Sequence, residues 1–264
     1  MARGLRLEDV AAHLGCSEGR VSRLETGNGR ATLRPEELEK LCDLFQVTEE
    51  RQRQMLLGML SYALQPGWWD AYREVLPSGL EVYFGLETEA QAEHAWEPVL
   101  IHGLLQTADY ARAVLSGHPG NRLHDVAALV AARTKRQELL TREDRDPLEL
   151  WAILDEQVIR RPVGGSDVMR AQILHLVEVA ALPNVTLQIM PVAKGVHAGL
   201  GGAFSILDFQ DSDPVIYIDS PAGNLYMEKK SDVRHFGASF DLLKAEALDP
   251  DDSTALLQRV AEES

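Results

Sequence analysis

Apolar residues recur at three- and four-residue steps from Leu7 to Leu60, the signature of amphipathic helices. Val10, Ala11 and Leu14 share one face of a helix over Leu7–Leu14, which Gly15 breaks. Ser17 suits the N-cap of a second helix running to Thr26, with Val21 and Leu24 inward and Gly27 as its stop. Pro35 opens a third helix with Leu38, Leu41, Leu44 and Phe45 as its apolar stripe. Thr48 is placed to cap a fourth, carrying Met55, Leu56, Met59 and Leu60.

Gln65-Pro66-Gly67-Trp68-Trp69 and Leu76-Pro77-Ser78-Gly79 read as a linker with an aromatic anchor. Residues 80–142 read as mostly helical, most clearly over 123–140. After residue 148 the period changes. Strands are expected over 148–154, 185–190, 203–209, 215–219 and 224–227, and helices over 167–182, 231–248 and 252–262. Successive strands without helices between them imply an antiparallel part to the sheet, hence α+β and not doubly wound α/β. The expected organisation is an all-α helix-turn-helix domain at 1–63, a linker at 64–79, and a domain at 80–264 with helices first and a mixed sheet after.

The net charge of −15 argues against nucleic acid when taken alone. Its distribution changes that reading. Residues 1–34 hold six arginines and four carboxylates, a net +2, so the remainder carries −17. A mildly basic module is joined to an acidic body that suits a basic partner or serves solubility. No apolar run is long enough to span a bilayer and no signal peptide is apparent, so a cytoplasmic location is expected and a membrane is not. Cys16 and Cys42 lack metal-ligand spacing and are expected reduced.

Chemistry in the first module lies at its exposed positions. Two short helices crossing at Gly15 would present the N-terminal part of the second to a major groove. Ser17, Glu18, Gly19 and Arg23 are placed toward base edges, with Arg20 and Ser22 toward phosphates or the flank. Arg23 is the first choice, because a bidentate arginine–guanine pair is the commonest specific contact.

The segment from Leu5 to Gly27 resembles the helix-turn-helix of the xenobiotic-response-element family, the phage-repressor type. The wider chain resembles an actinobacterial group in which this module precedes an antitoxin-like domain of unknown function. The stretches that carry the resemblance are Trp68-Trp69, Trp96-Glu97-Pro98, Gly103-Leu104-Leu105-Gln106-Thr107 with Tyr110-Ala111, Leu154-Asp155-Glu156, Arg160-Arg161-Pro162-Val163-Gly164-Gly165, Leu182-Pro183-Asn184-Val185 and His197-Ala198-Gly199-Leu200-Gly201-Gly202-Ala203-Phe204. The resemblance implies transcriptional regulation and a small partner protein encoded alongside, and it leaves room for a homodimer. It also implies a helix before Leu5, where only Met1-Ala2-Arg3-Gly4 stands. A module without that helix is expected to leave Val10, Leu14 and Val21 under-covered and to bind DNA weakly. A protein-interaction module without DNA binding is the alternative.

Three constellations stand out in the body. Asp155-Glu156 at a strand end, followed by Arg160 and Arg161, suits either acid–base work or an ion-pair corner. The glycine-rich stretch around His197 suits a ligand or a hairpin loop. Trp96-Glu97-Pro98 with Gln106 and Tyr110 suits a pocket lining or core. A hydrolase using Asp155, Glu156 and His197 is the less favoured alternative. The order of elements also resembles phospholipase-D-like sensor domains, but no histidine of the body has a lysine two residues on. G-x-S-x-G, H-E-x-x-H and Walker motifs are absent too. No catalysis, metal or cofactor is expected. Asp155 and Glu156, as neighbours on a strand, are expected to point to opposite faces.

Overall fold

The first turn of the chain is built on Gly15, whose φ of 68° lies in the left-handed region that an L side chain resists. The computed structural model describes residues 5–26, 33–64, 67–77, 79–117, 123–210, 212–220 and 223–263. The expected stop at Gly27, and Met1–Gly4, Gln65, Pro66 and Ser78, lie outside the described residues. Two compact units divide between Leu86 and Glu87.

The first unit contains α1 (Leu7–Leu14), α2 (Glu18–Thr26), α3 (Pro35–Leu44), α4 (Glu50–Leu64) and a 3-10 turn at Trp68–Tyr72. It also takes in the start of α5 (Leu80–Glu89). Val10, Ala11, Leu14 and Val21 form its core, with Leu7, Cys16, Leu41 and Leu44 packed around them. The expected under-covering does not occur: Val10, Leu14 and Val21 are only 8%, 7% and 3% exposed, because α3 supplies Leu41 and Leu44 as a lid. Trp68 stacks on Phe84 with ring centroids 5.1 Å apart. The cap of α4 falls on Glu49, not Thr48, since the Arg53 N–H donates to the Glu49 carbonyl.

One ion pair that the apolar pattern could not reveal fixes α2 on α3. Both arms of Arg20 reach the Glu37 carboxylate at 2.9 Å, Arg34 adds a bond at 3.0 Å, and the Arg34 N–H donates to the same carboxylate as α3's capping contact. The Arg20 and Arg34 side chains together hold Glu37 down at about 2, against the opposing effect of burial. A depressed carboxylate contributes stability that is present above its unfolded value and lost as pH falls through the folded one. We therefore expect Glu37→Gln to cost about 2–3 kcal/mol near neutral pH, allowing for screening at the exposed Arg34. That cost should shrink toward zero between about pH 4.5 and pH 2, the window between the two values. Denaturant melts of the full chain at several pH values check this, and a pH-independent difference would contradict it.

The second unit is a six-stranded mixed sheet in the order β3-β2-β1-β4-β5-β6. Its strands are β1 (Ala92–Glu97), β2 (Glu149–Asp155), β3 (Val185–Met190), β4 (Phe204–Asp208), β5 (Val215–Ile218) and β6 (Leu225–Met227). β1, β2 and β3 are parallel, and β4, β5 and β6 continue antiparallel from β1. Helices α6 (Ala108–Ser116) and α7 (Leu123–Arg136) connect β1 to β2, and α8 (Glu156–Arg160) and α9 (Ser166–Val179) connect β2 to β3. The right-handed sense of such crossovers puts both connections on one sheet face. On the other face α10 (Lys230–Glu246) brings Phe240 and Leu243 onto Trp96, Ile153, Met190, Phe204, Ile206 and Ile216. The turn into α11 (Pro250–Glu263) closes the β3 edge: Ile189 donates to the Ser253 hydroxyl, and Leu248 donates to the Ile189 carbonyl, both at 2.9 Å.

Residues 80–142 are mostly helical as expected, through α5, α6 and α7, and β1 is a strand which that reading did not foresee. Ala92-Glu93-His94-Ala95-Trp96-Glu97 has no β-branched residue and carries two carboxylates, so propensity argues against a strand. Central position decides it: Ala95 and Trp96 are fully buried between β2 and β4.

Candidate functional site

Strand alternation divides β1 into two chemistries. His94 and Trp96 point toward α10, while Glu93, Ala95 and Glu97 point toward the crossover helices. The register places Ala152, Ala95 and Ser205 side by side on the latter face. Three small side chains in a row across the central strands leave space that bulkier residues would fill.

Charged groups occupy it. Glu87, at the end of α5, accepts from Nε and Nη2 of Arg136 on α7 at 2.5 and 2.6 Å, with Glu87 fully buried. Glu93 Oε1 lies 3.2 Å from His102 Nε2, and His102 Nδ1 accepts from the Leu104 N–H. Burial lowers the affinity of His102 for a proton, but Glu93 and Glu97 more than reverse this, leaving it above its ordinary value. Burial raises Glu87, with Arg136 pulling the other way. The ligand atoms of Glu87, Glu93 and His102 lie within 4.8 Å of one another, a donor set that suits a divalent cation by type. The Arg136 guanidinium already neutralises Glu87, so a cation placed there would stand against it. The arrangement fits a buried ion-pair network better.

Gly103 belongs to the same packing. A Cβ at this position would lie 2.5 Å from Arg136 Nη1. The missing side chain is what lets the guanidinium reach Glu87.

Glu97 and Arg133 are different. Glu97 ends β1 and makes no hydrogen bond or ion pair among the described residues. Burial lifts its carboxyl to about 7, although the side chain keeps some solvent access. Arg133, on α7, has one acceptor among the described residues, Gln106 Oε1 at 2.7 Å. Burial lowers it to about 10. Glu97 stands at the C-terminal end of β1, where the sheet changes from parallel to antiparallel. In open sheets with parallel strands, ligands favour such ends.

The other sheet face at this end holds His197. Its ring lies edge-on to Trp96, centroids 5.1 Å apart, and its Nε2 is 4.0 Å from Asp155 Oδ2. Trp96 donates to the Gly199 carbonyl at 2.8 Å. A Cβ on Gly199 would fall 2.4 Å from the indole, so this close approach requires glycine.

The structure thus separates one expected constellation and joins another. Trp96 lies across the sheet from Gln106 and Tyr110. Gln106 donates to the Ile101 carbonyl and Tyr110, on α6, accepts from the Ile101 N–H; both side chains are buried. His197 and Asp155 do meet. The expectation that Asp155 and Glu156 share a strand fails, because β2 ends at Asp155, which caps α8 through Gln157 N. Glu156 is the first residue of that helix. It pairs with Arg160 at 2.8 Å and accepts from Val192 N, the ion-pair corner that the acidic-basic spacing suggested. Arg133 and the Glu87–Arg136 pair were not singled out from the sequence; Glu97 was, in the Trp96-Glu97-Pro98 stretch.

Residues 80–259 match the family described as Domain of unknown function (DUF5753). The chain belongs to that family. In this DUF5753 member, residues 1–55 match a second description, Helix-turn-helix domain. No curated protein and no solved structure matches the chain. In the helix-turn-helix of the DUF5753 protein, Ser17 is exposed and its hydroxyl accepts from Arg20 N, as an N-cap does. Glu18, Gly19 and Arg23 are exposed, and Ser22 is half-buried. Arg20 is committed to Glu37. Among the described residues no helix is long and apolar enough to cross a membrane, and both cysteines are free thiols.

Proposed function

We propose that this chain is a DNA-binding transcriptional regulator of antitoxin-like type, working in the cytoplasm, whose C-terminal domain takes an effector or a small partner protein. The observation that carries the reading is the outward face of α2. Val21 is buried beneath it, the Arg20–Glu37 pair fixes it on α3, and Ser17, Glu18, Gly19 and Arg23 remain free to face a major groove. Selection from random duplexes with the full chain tests it. Arg23→Ala should lower discrimination at one base position by about 5- to 150-fold, the range of one bidentate contact. It should leave binding to nonspecific duplex nearly unchanged. Equal preference in wild type and variant would sink the role of Arg23.

A partner protein is supported by a separate observation. Val99, Val192, Val196, Leu200 and Leu225 are exposed large apolar residues, and all follow or begin strands at the same sheet end. Scattered apolar exposure is ordinary, but a group at one end of an acidic body suits docking. The reading includes no catalytic step. Glu156 is held by Arg160 and Val192, which leaves Asp155 and His197 without the third group that the hydrolase alternative assigned.

A further inference from the structure

Residues 192–203 run from β3 past β2 and β1 to β4, a strap across the C-terminal end of the parallel strands. The strap is tied down along its length. Glu156 Oε2 accepts from Val192 N at 3.1 Å, Lys194 pairs with Glu246 at 3.4 Å, and the Gly199 carbonyl accepts from the Trp96 indole at 2.8 Å. His197 is a tie of a different kind. Its side chain is only 5% exposed, while Val196 and Leu200 on either side of it are 84% and 65% exposed. Gly199 N lies 3.2 Å from His197 Nδ1. A backbone N–H can only donate, so Nδ1 must offer a lone pair, and the ring's proton sits on Nε2. The seated ring is therefore neutral.

The other side of the ring favours the opposite state. Nε2 lies 4.0 Å from Asp155 Oδ2, too far for a hydrogen bond but close enough for a carboxylate to attract an imidazolium. Asp155 is fixed in place, because its Oδ1 accepts from Gln157 N at 2.8 Å. The other charges at this end are engaged elsewhere: Glu156 with Arg160, Arg160 also with Glu263, and Lys194 with Glu246. Trp96 presents an uncharged ring, 5.1 Å away and edge-on. We propose that residues 192–203 form a proton-operated strap: one proton taken from solvent onto His197 Nδ1 releases Gly199 N, draws the ring toward Asp155 and re-presents Val196 and Leu200. The two contacts of the ring cannot both be satisfied. The Gly199 N–H needs the neutral form, and the Asp155 carboxylate rewards the charged one. Imidazole side chains as a class change charge between about pH 5 and pH 8, the range in which such a device is useful. Val196 and Leu200 belong to the apolar group that supports docking, so the proposal rests on the docking part of the regulator reading and adds its control by acidity.

The test is hydrogen exchange of the full chain from about pH 7.5 to about pH 5.5, with each rate divided by the intrinsic rate at that pH. Protection of the peptide holding the Gly199 and Leu200 amides should fall by about 2- to 10-fold on acidification, the worth of one hydrogen bond. Protection of β1, β2 and β3 should stay constant. His197→Gln keeps an acceptor for Gly199 N and takes up no proton in this range, so its strap should stay protected throughout. Asp155→Asn can still cap α8 but no longer attracts the cation, so release should move to lower pH by about half a unit or more. Nitrogen NMR of the wild-type imidazole should show the Nε2–H tautomer at the upper pH. Constant protection in the wild type, an equal fall in His197→Gln, or a fall shared by the whole sheet would overturn the proposal. So would the Nδ1–H tautomer. Neither DNA nor a partner enters these measurements, so they judge the strap by itself, and the docking reading stands or falls on partner binding at constant pH.

Discussion

Arg136→Met should destabilise the C-terminal unit by about 3–5 kcal/mol, the usual cost of leaving one member of a buried ion pair unpaired. Glu87 is fully buried and accepts from both Nε and Nη2 of Arg136. Methionine fills much of the same volume but leaves the carboxylate uncompensated. Adding Glu87→Gln should recover part of the loss, because the charge that suffers is removed. Urea unfolding followed by tryptophan fluorescence measures the wild type, Arg136→Met, Glu87→Gln and the double variant. If Arg136→Met costs less than about 1 kcal/mol, the pair is not the centre of a dry network. If the double variant is worse than the sum of its parts, charge is not the reason for the loss.

Trp96→Ala should cost a similar amount, about 3–5 kcal/mol, and should also free the segment between β3 and β4. The indole is fully buried and belongs to the core that packs against α10. Its N–H holds the Gly199 carbonyl. Trp96→Phe keeps most of the bulk and loses the N–H, so it should cost less and still loosen the segment. Trypsin cleavage after Lys194, which pairs with Glu246 at 3.4 Å, reports the loosening. Faster cleavage in both variants is expected, with the larger stability loss in Trp96→Ala alone. Unchanged cleavage in Trp96→Phe would show that packing alone, not the hydrogen bond, seats the segment.

These two sites mark where sequence reading succeeds and fails. Elements with a strong local signal were legible. Leu7–Leu14 and Val185–Met190 carry their own periodicity, and the structure places them at those residues. The antiparallel half of the sheet followed from strands separated only by turn residues. β1 did not, because its strand character comes from neighbours at long sequence distance and its own residues have helix-like propensity. The same distance hid the charged network. Glu87 and Arg136 are 49 residues apart, and nothing local distinguishes either from a solvated charge. Arg20 shows the reverse problem: in sequence it is one more arginine on a recognition helix, and only α3 reveals Glu37 beside it. For Trp96, Gln106 and Tyr110, neighbourhood in sequence suggested one pocket, but strand alternation sends Trp96 to the opposite sheet face.

The central claim is that α2 reads DNA. The most direct measurement is the affinity of the full chain for its selected duplex and for a scrambled duplex of equal length and composition, by fluorescence anisotropy at two salt concentrations. The account predicts a preference of at least about 1,000-fold at physiological salt. It also predicts that both affinities fall as salt rises, as phosphate contacts require. Equal affinity for the two duplexes, or no binding to either at low salt, would contradict it.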